Sequence, residues 1–284
     1  MATPSGTSAR LCRHDHCKGD VMFASRAEAI AERLDAAWRA RTPIAPITEA
    51  EGVTDTGLAY AIQSAWSLLR KGRGEIVVGR KIGLTNPVIQ AQLGVNEPDY
   101  GALWQSSHYP TRDGVVIIPA RDFLQPRIEG EIAFRIGKRL EGGGITAEQV
   151  IDATDACALA IEIVDSRIAD WRIKLADTIA DNASYGGFAL GPWDAAMRHA
   201  DLPALAMTIH QNGILAGEGL GAAALGSPAL STAWLANKLA EFGESLEPGD
   251  IVISGALTKM LPVAAGDEFV VSLTGQPDLA VRFT

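Results

Sequence analysis

The stretch Gln125-Pro-Arg-Ile-Glu-Gly-Glu-Ile-Ala-Phe-Arg-Ile136 places two carboxylates, Glu129 and Glu131, where an otherwise apolar strand would bury methyl groups. In an extended strand alternate side chains share a face, so Ile128, Ile132, Phe134 and Ile136 point one way and Glu129 and Glu131 the other. Two like charges side by side on a half-buried face repel each other and lose hydration, a cost that a bound divalent cation offsets. The alternative is a solvated outer face on which Arg127 and Arg135 pair the acids. The pattern alone leaves both open.

Working outward, residues 76 onward read as short strands divided by Gly and Pro, a β-rich body with inserted helices. Ile76 to Gly83 is a strand carrying Lys81 among apolar neighbours, and Asn86-Pro87 opens a short helix that Gly94 closes. Asn96-Glu-Pro-Asp-Tyr-Gly101 is expected to be a turn that fixes Asp99 in a loop. Strands follow near Val115 to Ile118 and Ile128 to Ile136, then a helix capped by Thr146-Ala-Glu-Gln149. Ala156 to Val164 is a strand with one carboxylate, Glu162, which needs a partner if buried. Asp170 to Ala180 is expected to be helical, leading through Asp181-Asn-Ala-Ser184 into a strand at Tyr185 to Leu190. Asn212-Gly213 marks a hairpin, Ser227-Pro228 starts a helix that Gly243 stops, and strands close the chain at 250–254, 268–273 and 279–283.

Ahead of this body, Ser25-Arg-Ala-Glu28 has the form of a capping box opening a helix to about Arg41 with Leu34 and Trp38 on its buried stripe. A second helix, about Thr54 to Lys71, carries Leu58, Ile62, Trp66 and Leu69 at helical spacing. Residues 1–21 show no apolar periodicity and are expected to be disordered. Their Cys12, His14, His16 and Cys17 match the spacing of no usual zinc module. Lys18-Gly19-Asp20 can be translated from a ribosome-binding sequence, which would make Met22 the native start; N-terminal sequencing that finds earlier residues rejects this. The expected organisation is a 1–21 extension and one domain over 22–284, with a helical cap over about 22–75 and a β-rich body over about 76–284.

Composition narrows the function. The 284 residues hold 34 acidic against 25 basic side chains, with a pI of about 5.1, so no broad cationic surface awaits nucleic acid or anionic lipid. No apolar run approaches the roughly 18 residues that span a bilayer, and no secretion signal opens the chain, which points to the cytoplasm. Three cysteines make no disulfide framework, and Cys157 suits a buried reduced thiol. Gly217-Glu-Gly-Leu-Gly221 reads as a flexible loop rather than a phosphate cradle, since no phosphate-gripping Lys follows. No Gly-x-Ser-x-Gly elbow is present, and His210 reads as structural. Glu129, Glu131 and Glu162 remain: hard oxygen donors suited to Mg²⁺ or Mn²⁺ rather than zinc or copper.

Five segments carry a resemblance: Gly79-Arg-Lys-Ile-Gly-Leu-Thr85, Gln92-Leu-Gly-Val-Asn-Glu-Pro-Asp-Tyr-Gly101, Gln125 to Ala133, Ile161-Glu-Ile-Val-Asp-Ser-Arg-Ile168 and Ala180-Asp-Asn-Ala-Ser184. With Ser254-Gly-Ala-Leu257, they closely resemble the 2-keto-4-pentenoate hydratase family of the fumarylacetoacetate hydrolase superfamily, over roughly residues 26 to 284. The resemblance implies an α+β fold, a mixed β-rich roll with a helical N-terminal part. It implies Glu129, Glu131 and Glu162 as ligands of Mg²⁺ or Mn²⁺, and Lys81, Asp99 and Ser184 as residues reaching the substrate. In that reading Lys81, in an apolar strand, has a lowered pKa and donates or shuttles protons, or else forms a salt bridge to a ligand carboxylate. Asp99 orients or deprotonates water, and Ser184 hydrogen-bonds substrate. The implied reaction is hydration of 2-hydroxypenta-2,4-dienoate to 4-hydroxy-2-oxopentanoate in aromatic catabolism. The alternatives are decarboxylation of 2-oxo-3-hexenedioate (4-oxalocrotonate), or a silent homologue that binds a pathway enzyme. The implied partners are a small 2-oxo acid, further copies of the chain in a homo-oligomer, and the decarboxylase or aldolase of the pathway.

Overall fold

The computed structural model describes residues 14–86, 90 and 97–284, with the side chains of 14–21 left aside. The helix expected between Asn86 and Gly94, Cys12, and the side chains of His14, His16 and Cys17 lie outside what is described.

Two sheets form the body. The first runs in the order β2 (Asp99–Trp104), β1 (Val77–Gly83), β9 (Ile251–Ile253), β4 (Arg127–Ile136), β5 (Thr154–Val164) and β6 (Tyr185–Leu190), with β10 (Leu261–Pro262) joined to β4. The second has the order β3 (Val115–Ile118), β12 (Leu279–Phe283), β11 (Glu268–Leu273), β7 (Ala206–Gln211) and β8 (Ile214–Leu220). Ile128, Ile132, Phe134 and Ile136 of β4 are fully buried, as the alternation requires. On this face Gly130 meets the second sheet: a Cβ there would stand 2.3 Å from Met207 Sδ and 3.3 Å from Val271 Cγ1. The glycine between the two glutamates thus leaves room for side chains of the second sheet. Asn212 and Gly213, at φ 52° and 81°, make the hairpin between β7 and β8.

Helices α1 (His14–Ala40) and α3 (Thr56–Gly72) pack together, α3 reaching β2 through Gln63 Nε2 on the Tyr100 carbonyl, with the short α2 (Ile47–Ala50) between them in the chain, while α4 (Ala147–Ala153) and α6 (Pro228–Ala240) pack together elsewhere. The short α5 (Leu175–Ala180) lies under α3. Leu34, Ile62 and Trp66 are buried in this cap, and the Thr146–Gln149 capping box forms as expected.

Five local expectations are corrected. The helix already runs from His14, so residues 14–21, expected without structure, are helical in backbone, and Ser25 lies inside the helix rather than capping it. Its hydroxyl donates back to the Met22 carbonyl at 3.1 Å, the habit of a mid-helix serine. Asp99 opens strand β2 rather than lying in a loop. The helix expected from Asp170 shrinks to α5, because Asp170 and Trp171 take φ of 58° and 55°, which no α-helix admits. Gly217 to Leu220 belong to β8 rather than to a flexible loop, with Gly219 packed against the Leu257 carbonyl.

The turn before β6 is held from both sides. Asn182, Ala183 and Ser184 all have φ between 51° and 55°, a strained run that persists only when surroundings over-determine it. The Asn182 side chain acts as an extra strand for β2, accepting from the Ala102 N–H at 2.7 Å and donating to its carbonyl at 3.0 Å. Below it, buried Arg167 pairs with Asp181 at 2.5 Å and donates to the carbonyls of Asp165 and Tyr185 at 2.5 and 2.7 Å. Asn182→Ala leaves the Ala102 amide and carbonyl without partners. It is expected to lower the unfolding free energy by about 1–3 kcal/mol, seen as a lower denaturant midpoint at unchanged slope.

Candidate metal and substrate site

The sheet register brings the acidic residues together. Glu129 of β4 stands directly opposite Glu162 of β5, and Glu131 follows on the same face. One ligand oxygen from each of the three lies within 4.8 Å of the others. The same face receives Lys81, because β1 pairs Lys81 with Ile253 and β4 pairs Ala133 with Ile253. The alternative of a solvated outer face does not hold, since Glu131 and Glu162 are 0% exposed. Arg127 and Arg135 stack instead on Trp171 and Trp193.

Lys81 Nζ lies 3.0 Å from Glu162 Oε1 and donates to the Ala183 carbonyl at 3.1 Å. The Gly255 N–H donates to Glu131 Oε2 at 2.5 Å. Beyond these, Glu131 Oε1 and both Glu162 oxygens accept no hydrogen bond, although they are buried. Three carboxylates and one ammonium therefore leave acceptor oxygens uncompensated in a dry place, an arrangement stable only when something positive is added. The donor set, all carboxylate oxygen, fits a hard divalent cation.

The titration behaviour follows from the same crowding. Burial, then the charge of Glu162, pushes Glu129 up to about 7. Burial likewise raises Glu131 well above the carboxylate range and raises Glu162. Lys81 reverses expectation: burial works to lower its pKa, but Glu162, Asp99, Glu129 and Glu131 together raise it. The apolar strand signalled desolvation correctly, yet the four carboxylates that outweigh it are assembled only in space. Lys81 is a fixed cation.

Asp99 and Ser184, both buried, stand beside this cluster. Asp99 Oδ2 accepts from the Thr178 hydroxyl at 2.9 Å, and the Ser184 hydroxyl reaches Thr178 Oγ1 at 3.5 Å. The position a Cβ would take on Gly83 lies 2.2 Å from Asp99 Oδ1 and 3.3 Å from Lys81 Nζ, so Oδ1 and the ammonium converge over that glycine. All six residues singled out in the sequence are thereby brought to one region. Thr178, the Gly255 amide and the Ala183 carbonyl were missed. Thr178 had only its position six residues before Ser184 to mark it, and backbone groups carry no residue signature.

Residues 77–284 match the fumarylacetoacetate (FAA) hydrolase C-terminal family. The chain is 43% identical over 254 residues to a 2-hydroxyhexa-2,4-dienoate hydratase of Comamonas testosteroni, covering 89% of this chain and 96% of that one. It is 43% identical over 255 residues to a 2-keto-4-pentenoate hydratase of Burkholderia vietnamiensis, covering 90% and 96%. A 4-oxalocrotonate decarboxylase from Pseudomonas putida, solved with magnesium and adipate, superposes with a TM-score of 0.87 at 32% identity over 92% of this chain and 98% of that one. With its mixed sheets, helical N-terminal part and carboxylate cluster, the chain belongs to the 2-keto-4-pentenoate hydratase family of the fumarylacetoacetate hydrolase superfamily.

Proposed function

We propose that this protein is a metal-dependent hydratase that converts 2-hydroxypenta-2,4-dienoate (2-keto-4-pentenoate) to 4-hydroxy-2-oxopentanoate in aromatic catabolism. The observation that carries the reading is the converging trio Glu129, Glu131 and Glu162, the last two fully buried with oxygens that accept no hydrogen bond beyond the Lys81 contact. These residues would hold Mg²⁺ or Mn²⁺. The bound ion supplies Lewis acidity, favouring negative charge on the 2-oxygen of a 2-oxo acid.

The chain's own groups do the rest. Ketonisation moves the enol proton to C5, leaving a 2-oxo-3-enoate whose C4 is electrophilic. Asp99 orients a water with Oδ1 and takes its proton as the C4–O bond forms, and a proton delivered to C3 completes the addition. Lys81, held charged by its neighbours, donates a hydrogen bond toward the charge that develops on the substrate. Ser184 hydrogen-bonds substrate; its 3.5 Å contact to Thr178 is long enough for the hydroxyl to turn toward a substrate oxygen.

The likeness to a decarboxylase favours a second reading, loss of carbon dioxide from 2-oxo-3-hexenedioate, which needs the same site and room for a second carboxylate. The higher identity to hydratases places hydration first. The test follows dienoate loss by ultraviolet absorbance with and without chelator, with the dicarboxylate run in parallel while carbon dioxide is monitored. Chelator-sensitive dienoate loss without carbon dioxide release from the dicarboxylate is expected. The reverse selects the decarboxylase, and inactivity toward both with metal present indicates a silent partner-binding homologue.

Among the described residues no helix is long and apolar enough to cross a membrane. A cytoplasmic location, assembly into a homo-oligomer and contact with the decarboxylase or aldolase of the pathway belong to the same proposal.

A further inference from the structure

The geometry points to Thr178 as a positioning residue that fixes which oxygen of Asp99 faces the reacting centre. This rests on the role given to Asp99 above. Thr178 has one hydroxyl proton and donates it to Asp99 Oδ2 at 2.9 Å; its own oxygen accepts from Ser184 at 3.5 Å. The chain of hydrogen bonds therefore has a direction, Ser184 to Thr178 to Asp99, and ends on a carboxylate oxygen that must accept. With Oδ2 engaged, Oδ1 is the oxygen left over Gly83 beside the Lys81 ammonium. A carboxylate held at one oxygen cannot rotate its other oxygen out of line, which is the difference between a positioned base and a nearby one.

Thr178 can do this because α5 is anchored. Asp177 accepts from Thr48 N and Oγ1 at 3.0 and 2.8 Å, and Gln63 Nε2 donates to the Ile179 carbonyl at 2.8 Å, so the residues flanking Thr178 are tied to α2 and α3. Thr178 itself is buried and touches none of the three glutamates through any hydrogen bond. Its effect on turnover is therefore separable from metal binding.

The experiment uses the full chain loaded with Mg²⁺ and compares Thr178→Val, which keeps the shape and removes the hydroxyl, with Thr178→Ser, which keeps the hydroxyl. Thr178→Val is expected to lower kcat roughly 10- to 100-fold, with KM and Mn²⁺ binding unchanged. Thr178→Ser is expected to recover most of the loss. A second measurement does not depend on turnover: a cycle of unfolding midpoints for Thr178→Val, Asp99→Asn and the double variant. Thr178→Val should shift the midpoint less in the Asp99→Asn background than in the parent. Wild-type kcat in Thr178→Val, no recovery by Thr178→Ser, or additive midpoint shifts overturns the assignment. Absence of dienoate turnover in the parent protein defeats the hydratase reading instead, while the midpoint cycle still decides whether Thr178 holds Asp99.

Discussion

Glu131→Gln and Glu162→Gln are each expected to reduce dienoate turnover at least about 100-fold, more than the loss that follows removal of a ligand's supporting group. At the same time Glu131→Gln is expected to make the metal-free protein more stable. Both effects have one origin. Glu131 and Glu162 are fully buried, and beyond the Lys81 ammonium 3.0 Å from Glu162 Oε1, Glu131 Oε1 and both Glu162 oxygens accept no hydrogen bond. Without a cation the fold bears their desolvation and mutual repulsion, so neutralising Glu131, which leaves the Lys81–Glu162 pair intact, relieves a cost of about 1 kcal/mol or more. The geometry survives the change, because a glutamine oxygen can still accept from Gly255 in place of Glu131 Oε2. Circular dichroism melts of chelator-treated protein, read beside turnover with metal restored, check the pair of effects. A purely structural role for these residues predicts the opposite sign in the melts.

That prediction draws on both the legible and the illegible parts of the sequence. The glutamates at 129 and 131 were readable because strand periodicity puts them on one face, and Glu162 because a lone acid in an apolar strand needs a partner. Their convergence follows from the antiparallel register of Glu129 with Glu162, which no local pattern encodes. Asp99 shows the limit of local signals. Asn-Glu-Pro-Asp reads as a turn, yet the side chain of Asn182, about 80 residues on, pairs with β2 as a substitute strand. Lys81 was found, but the sign of its shift was not, since that depends on four carboxylates gathered by tertiary structure. The glycine-bearing run at 217–221 looked like a loop; the glycines instead permit close packing of an edge strand.

The second large effect is on pH. Affinity of the metal-free protein for Mg²⁺ is expected to rise steeply as pH increases through about 7, the value to which Glu129 is pushed. Each proton that must leave a ligand carboxylate gives up to about tenfold per pH unit, and the slope exceeds one proton if Glu131 or Glu162 also holds one. The pH dependence of stability differs between the two forms. These acids have folded-state pKa values raised above the unfolded value of 4.5. Between that value and about 7 and above, the folded metal-free protein therefore binds more protons than the unfolded chain, and its stability falls as pH rises. Saturating Mg²⁺ holds the carboxylates ionised and removes that fall, adding about 2.7 kcal/mol at a hundred times Kd. Calorimetric titrations and melts from pH 5.5 to 8.5 separate the two. A pH-independent Mg²⁺ affinity over this range contradicts the shared ligand set.

The central claim is that Glu129, Glu131 and Glu162 converge on one hard cation. It is tested most directly by titrating Mn²⁺ into chelator-stripped protein and following free Mn²⁺ by electron paramagnetic resonance, in parallel for the parent and for Glu162→Gln. One tightly bound Mn²⁺ per chain in the parent, displaced by Mg²⁺ and lost in Glu162→Gln, is the expected result. Binding that is absent from the parent, or equally strong in the variant, contradicts the account.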